Sequence, residues 1–179
     1  GHQIDSDFPM WIHDHPEVTP RNFQGTIELQ KYLQQLSKDQ VITFLITGGA
    51  SALISKPVIA VDDFLSLWKF MLYEGWPIEE MNQIRILMDE VKGGGLLKSL
   101  SGQKVVNLYV SDVPVRHFDF VSSSPTNPVK LDQDQLEKIM RKLPEKYQES
   151  ISKLMKSYIP VEYSVENYLI ESASNLGHN

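Results

Sequence analysis

The sequence contains no cysteine, which excludes disulfides, thiolate metal sites and a cysteine nucleophile. It has no apolar run near the roughly 20 residues that cross a bilayer as a helix, so no membrane partner is expected. It also lacks a basic segment followed by an apolar stretch at its start. No signal peptide is read there, and together with the missing cysteine this points to the cytoplasm. Positive charge is not in excess: 17 Lys and Arg stand against 23 Asp and Glu, a net charge of −6. A nucleic-acid partner is therefore not expected. Internal repeats and low-complexity tracts are missing as well.

What is present suits one globular domain. The 179 residues are 41% hydrophobic and 22% charged, enough for a single packed core. Val41–Ile46 and Val105–Val110 are unbroken apolar and β-branched runs, the pattern of parallel strands buried on both faces. Further short strands are read at Met10–His13 and Tyr168–Ile170. Helices are expected from a cap at Asn22 to about Ser37, from a cap at Asp62 or Asp63 over Phe64–Tyr73, and from Pro77 to about Val91. A short helix is expected through Leu100, and two more over Asp132–Lys142 and Glu145–Tyr158. Strands alternating with helices predict an α/β domain, a Rossmann-like doubly wound, mostly parallel sheet flanked by helices, over residues 1–179.

Three segments carry candidate chemistry. The first strand runs straight into Thr47-Gly48-Gly49-Ala50-Ser51-Ala52-Leu53. Ligands in open parallel sheets bind beyond the carboxyl ends of strands, and glycines there let main-chain amides approach an anion. The Gly-Lys-Ser/Thr ending of a Walker loop is missing. A tight strand-to-helix turn without a ligand fits the same residues. Lys92-Gly93-Gly94-Gly95 is either a second close approach, with Lys92 meeting phosphate or carboxylate as a point charge, or an interhelical hinge. Ser111-Asp112 ends the second strand, where Asp112 is placed to hold Mg²⁺, to accept a hydroxyl proton or to cap a turn. Asn82 and Arg85 share a helix face, and Arg85 there either clamps an anion or pairs with Glu80 or Asp89. His13-Asp14-His15 reads as a loop anchor rather than a metal cluster, because His13 and His15 point apart in an extended segment. Trp11, Trp68 and Trp76, with Phe64, Phe70 and Met71, are assigned to the core or to a contact between subunits, as in a homodimer.

The order of these segments resembles the glycerate 2-kinase family of two-domain enzymes with a smaller C-terminal (MOFRL) domain. That family has a His-Pro loop, similar to His15-Pro16. Its Ser-Gly-Gly-Gly-Ser-Ala-Leu is similar to Thr47–Leu53. Its Asn-x-Val-Arg helix leads to Lys-Gly-Gly-Arg-Leu, similar to Asn82–Arg85 and Lys92–Leu96. Its Ser-Asp-Val and Ser-Gly-Pro-Thr are similar to Ser111-Asp112-Val113 and Ser123-Ser124-Pro125-Thr126. Residues 168–175 look like its following strand. The resemblance covers about residues 15–128 and implies ATP and Mg²⁺ as cofactors, with phosphoryl transfer to a glycerate hydroxyl. It implies that Gly48, Gly49, Ala50, Ser51, Asn82, Arg85, Gly93, Gly94 and Ser111 bind substrate or phosphate. Lys92 and Asp112 would be catalytic, and Asp112 would hold Mg²⁺.

The sequence departs from that pattern at informative positions. Ala50 replaces the third glycine, Gly95 an arginine, Ile86-Leu87 a basic pair, Val115-Arg116 a Gly-Asp, and Ser124 a glycine. The family's upstream Gly-Lys-Ala segment and its C-terminal domain have no counterpart in these residues. Phosphoryl transfer depends on cations around spread negative charge, so this chain by itself is expected to be incomplete as a kinase. The alternative is a non-catalytic small-anion-binding or regulatory module on the same fold.

Overall fold

The computed structural model describes residues 10–11, 13–15, 18–111 and 121–172, without the side chains of Ser111, Glu171 and Ser172. Strands β1 (Val41–Thr47), β2 (Lys104–Ser111) and β3 (Val165–Ser172) form one parallel sheet in that order. Around it lie α1 (Pro20–Gln34), α2 (Ala50–Leu53), α3 (Val61–Tyr73), α4 (Ile78–Met88), α5 (Gln133–Met140) and α6 (Glu145–Ser157), with a 3-10 turn at Gly95–Ser99. The fold is the expected α/β arrangement of a parallel sheet flanked by helices.

Local chemistry explains where the elements start. Helix α1 begins two residues before the expected cap. Thr19 is the cap, accepting from the Arg21 amide at 3.3 Å, and Asn22 closes a capping box by accepting from the Thr19 amide at 3.4 Å. Pro20, which has no N–H to lose, suits the first helical position and draws the start upstream. In α3, Asp62 and Asp63 sit in the first turn and Ala60 precedes it without a side-chain cap. Their carboxylates meet the helix dipole there instead of capping it. Helix α5 is capped by Asp132, which accepts from the Gln135 amide at 3.1 Å. Strand β3 is longer than Tyr168–Ile170, and Met10, Trp11 and His13 are irregular rather than a strand.

The main core is helical. Leu67 and Met71 of α3, Ile84 and Met88 of α4, Leu136 and Ile139 of α5 and Ile151 of α6 are fully buried in one cluster. Each such side chain contributes about 1.5–3 kcal/mol by leaving water. Two smaller clusters line one face of the sheet: Leu33, Val91 and Leu96 with Phe44, and Ile46 with Tyr109 and Val121.

Pairing register sorts the sheet into two faces. Ile42, Val105 and Val165 align across the strands, as do Phe44, Asn107 and Asn167. These rows point inward. The alternate row Leu45, Leu108 and Tyr168 points the other way, with Leu45 65% and Tyr168 52% exposed. The expected burial on both faces thus holds for one face among the described residues. The strands read as doubly covered because their outer positions are apolar, and the described helices cover one side.

The same register positions the site. Because β1 and β2 are parallel neighbours, Thr47 lies opposite Val110, one residue before Ser111. The carboxyl ends of both strands open at one edge, as the sequence predicted.

Candidate functional site

Helix α2 is a single turn that begins directly after Gly48-Gly49. Gly49 has φ +86°, a left-handed conformation that a side chain would strain. So short a helix satisfies only its first carbonyl, through the amide that ends it, and the others take side-chain partners. Ala50 accepts from the Ile54 amide at 3.0 Å. Ser51 accepts from Arg85 Nη2 at 3.0 Å and from Lys92 Nζ at 3.0 Å. Ala52 accepts from Asn22 Nδ2 at 2.9 Å, and Leu53 contacts His13 Nδ1. Ile54 accepts from Lys92 Nζ at 2.5 Å. Four side chains from the N-terminal segment, α1, α4 and the residues after α4 thus hold α2 by its carbonyls. At the opposite end, the amides of Gly49, Ala50 and Ser51 have no hydrogen-bond partner among the described residues.

Lys92 and Arg85 therefore reach the glycine loop from inside. Lys92 is 3% and Arg85 5% exposed. Burial pushes the Lys92 ammonium down to about 7, against the pull of the Asp89 carboxylate and with the push of Arg85. Burial likewise lowers Arg85 to about 10, again opposed by Asp89. The Arg85 guanidinium stacks 4.0 Å over the Trp68 ring, which suits a weakly hydrated planar cation. Neither pairs with an acid in an ion pair among the described residues. Asp89 instead accepts from Ser55 Oγ and from the Lys56 and Val91 amides at 3.1 Å each.

The second glycine run closes on the protein itself. The Gly93 and Gly94 amides donate to the Ser123 and Ser124 carbonyls at 3.1 and 2.6 Å, and the Gly95 amide to Lys92. A Cβ on Gly94 would lie 2.8 Å from Pro128 Cα, and one on Gly95 would fall on the Glu90 carbonyl oxygen. The close approach read from Gly93 and Gly94 is thus to the backbone of residues 123–128, where their amides are already engaged. That segment holds Ser122, Ser123 and Ser124 at φ 60°, 59° and 54°. Three successive left-handed non-glycine residues are costly, about 1–2 kcal/mol each. They are held by Ser122 Oγ donating to the Thr47 carbonyl at 3.0 Å, by Ser123 Oγ donating to Asn82 Oδ1 at 2.9 Å, and by Lys92 Nζ reaching the Ser122 carbonyl at 3.4 Å.

The structure brings together Thr47, Gly48, Gly49, Ala50, Ser51, Asn82, Arg85, Lys92, Gly93 and Gly94. Ser111 lies at the neighbouring strand end by register. Asp112 lies outside the described residues. Among the described residues no group of three His, Asp or Glu side chains gathers as a metal site. One participant was read from sequence as part of a loop anchor, and one was not singled out. His15 is exposed, and its Nε2 would lie 3.4 Å from a Cβ at Gly49. Ser122 bridges to β1. His15 was named in the His-Pro motif; nothing local marked Ser122.

Residues 3–156 match the family described as Domain of unknown function (DUF4147). The chain belongs to that family. Its relatives include D-glycerate 2-kinase of Thermotoga maritima, 28% identical over 92% of this chain and 40% of that protein. Glycerate 2-kinase of Picrophilus torridus is 30% identical over 62% of this chain and 27% of that protein. The crystal structure of the Thermotoga maritima glycerate kinase superposes with a TM-score of 0.82 at 26% identity, over 98% of this chain and 43% of that one. A Pyrococcus horikoshii protein superposes at 0.71 with 27% identity, over 90% and 40%. The chain spans about two fifths of the length of these structures.

Two of the departures from the kinase pattern have structural reasons, and a third has none. Ile86 and Leu87, in place of a basic pair, are 3% and 4% exposed in the helical core. Gly95 stands where a side chain has no room. Ser124 stands at a left-handed position, where the family's glycine would be unstrained.

Proposed function

We propose that this chain is a glycerate-kinase-like domain whose loop Gly48–Ser51 holds an anionic group, the carboxylate of glycerate or a nucleotide phosphate. In this way it contributes to ATP-dependent phosphoryl transfer to a glycerate hydroxyl. One observation carries the reading. Helix α2 is fixed at its carbonyls by Asn22, Arg85, Lys92 and His13, while the amides of Gly49, Ala50 and Ser51 are unpaired among the described residues. Immobile, unpaired amides are what an anion requires. The hydroxyls of Thr47 and Ser51 add donors at the rim. Arg85 and Lys92 act on the ligand through the intervening peptides as a field rather than by contact.

This donor set suits one carboxylate or phosphate. Its open amides are donors and do not coordinate Mg²⁺, and among the described residues no group of three His, Asp or Glu side chains gathers; Asp112 is retained as the proposed Mg²⁺ ligand or hydroxyl-orienting group. These residues are therefore expected to bind rather than to transfer. The buried Arg85 and Lys92 and the side-chain-free Gly95 also favour a second reading, an anion-binding module without chemistry. Calorimetry with D-glycerate, inorganic phosphate and ATP–Mg²⁺ tests the first claim. Binding of at least one, weakened tenfold or more by Gly49→Val, is expected. No heat with any of them at about 10 mM, a limit near 3 kcal/mol of binding, would remove the anion site. ADP release in the presence of glycerate would remove the module.

A further inference from the structure

We infer that Lys92 is a positioning residue: its ammonium holds the glycine loop against the left-handed Ser122–Ser124 turn, and losing its proton loosens that joint. The consequence for ligands rests on the anion-site reading, but the joint itself is a property of the free protein.

The geometry is a buried cation among main-chain carbonyls. Nζ reaches Ser51 at 3.0 Å, Ile54 at 2.5 Å and Ser122 at 3.4 Å. These oxygens belong to α2, to the residue that ends it, and to the segment after β2. An ammonium has three N–H donors and serves all three. A neutral amine has two N–H groups and a lone pair, so one carbonyl must go unserved. Ser122, at the longest distance, is the one to separate. Its segment also stores the most strain, with φ near +60° at three residues in a row. Such a conformation persists only when its surroundings over-determine it, and Lys92 is one of the few tethers between that segment and the glycine loop.

The surrounding charges set how readily the proton leaves. From α4, Arg85 shares the Ser51 oxygen and opposes protonation, and Asp89 at the end of α4 favours it. His13 of the N-terminal segment sits on the next peptide, at Leu53. Glu90 is tied to Lys56 at 2.9 Å. Tyr158, at the end of α6, donates to the Val129 carbonyl beside Gly93. Helix α2 and residues 121–129 bring no titratable side chain. Burial outweighs Asp89 and brings the ammonium down to about 7, so the joint works in the neutral range.

The test is nuclear magnetic resonance of the whole chain from about pH 5.5 to about pH 9.5, a range free of ordinary lysine titration. The Lys92 Cε and Nζ signals are followed together with the amides of Gly49, Ala52 and Ser123. The expected result is one shared midpoint for all of them, still present in His13→Asn and in His15→Asn and abolished in a folded Lys92→Met. Amides that stay still while Lys92 titrates would overturn the inference, and so would a transition that vanishes in His13→Asn or in His15→Asn. Should Lys92→Met not fold, the profiles of wild type and of the two histidine variants still decide. Adding inorganic phosphate separates the two readings: no binding with an intact shared transition removes the anion site and leaves the joint.

Discussion

The Lys92 ammonium lies 3.0 Å from the carbonyl oxygen of Ser51. Arg85 reaches the same oxygen at 3.0 Å, so two cations 5% exposed or less converge on one peptide of the glycine loop. Basic residues spaced along one helix and the turn after it would ordinarily face solvent or an anion. Here they replace the hydrogen bonds that a one-turn helix cannot make for itself, and they leave its amide end open.

The buried ammonium has a signature in stability. Its folded value is lowered by burial from 10.5 to about 7, so across that window the unfolded chain binds the extra proton. Stability contributed by this site therefore rises with pH between those values, with a slope of up to about 1.4 kcal/mol per pH unit. Urea denaturation of wild type and Lys92→Met at several pH values should show their difference moving in favour of wild type as pH rises. A constant difference would refute the buried charge.

The glycines divide by what surrounds them. Gly94 and Gly95 meet backbone, whereas Gly75 (φ +64°) and Gly102 (φ +99°) have nothing within 4 Å of an added Cβ. Alanine at Gly75 or Gly102 should cost about 1–2 kcal/mol, the left-handed penalty alone. Gly94→Ala and Gly95→Ala should cost more than about 3 kcal/mol or prevent folding. Chemical denaturation of the four variants reads the order directly.

Ser124 occupies a left-handed position at φ 54° that is fully buried. Ser124→Gly should relieve about 1 kcal/mol of backbone strain, offset in part by a more flexible unfolded chain. Because the buried side chain also has a partner to lose, thermal unfolding should show the variant within about 2 kcal/mol of wild type. A loss above about 2 kcal/mol would mean that the serine side chain, rather than the backbone, governs the turn.

The outer sheet row of Leu45, Leu108 and Tyr168 is apolar, with Leu45 and Tyr168 exposed. Leu45→Lys and Tyr168→Lys should each change stability by less than about 1 kcal/mol and should reduce binding of a hydrophobic dye. A loss of several kcal/mol would show the face to be covered by the chain's own remaining residues.

Much of this architecture was legible because parallel strands announce themselves as short β-branched runs. Val41–Ile46 and Val105–Val110 were found to within a residue or two, and with them the neighbouring strand ends. The alternation in β3, with Asn167 inward and Glu166 outward, was too polar to read beyond Tyr168–Ile170. The cap of α1 lies three residues upstream of the expected Asn22, at Thr19, because Pro20 suits the first helical position. In the site, sequence named the loops but not their direction. Nothing in Lys92-Gly93-Gly94-Gly95 says that the lysine turns inward to α2 or that the glycines meet Pro128. Those facts depend on contacts 30 and 41 residues away, from Lys92 to Ser122 and to Ser51. No helix among the described residues is long and apolar enough to cross a bilayer.

The central claim is that the amides of Gly49, Ala50 and Ser51 receive an anion. An amide-resolved nuclear magnetic resonance titration with D-glycerate and with inorganic phosphate tests it most directly. Saturable shifts centred on those three amides and on Gly48, reduced in Gly49→Val, are the predicted result. Saturable binding that perturbs other surfaces and leaves these amides unmoved would contradict it.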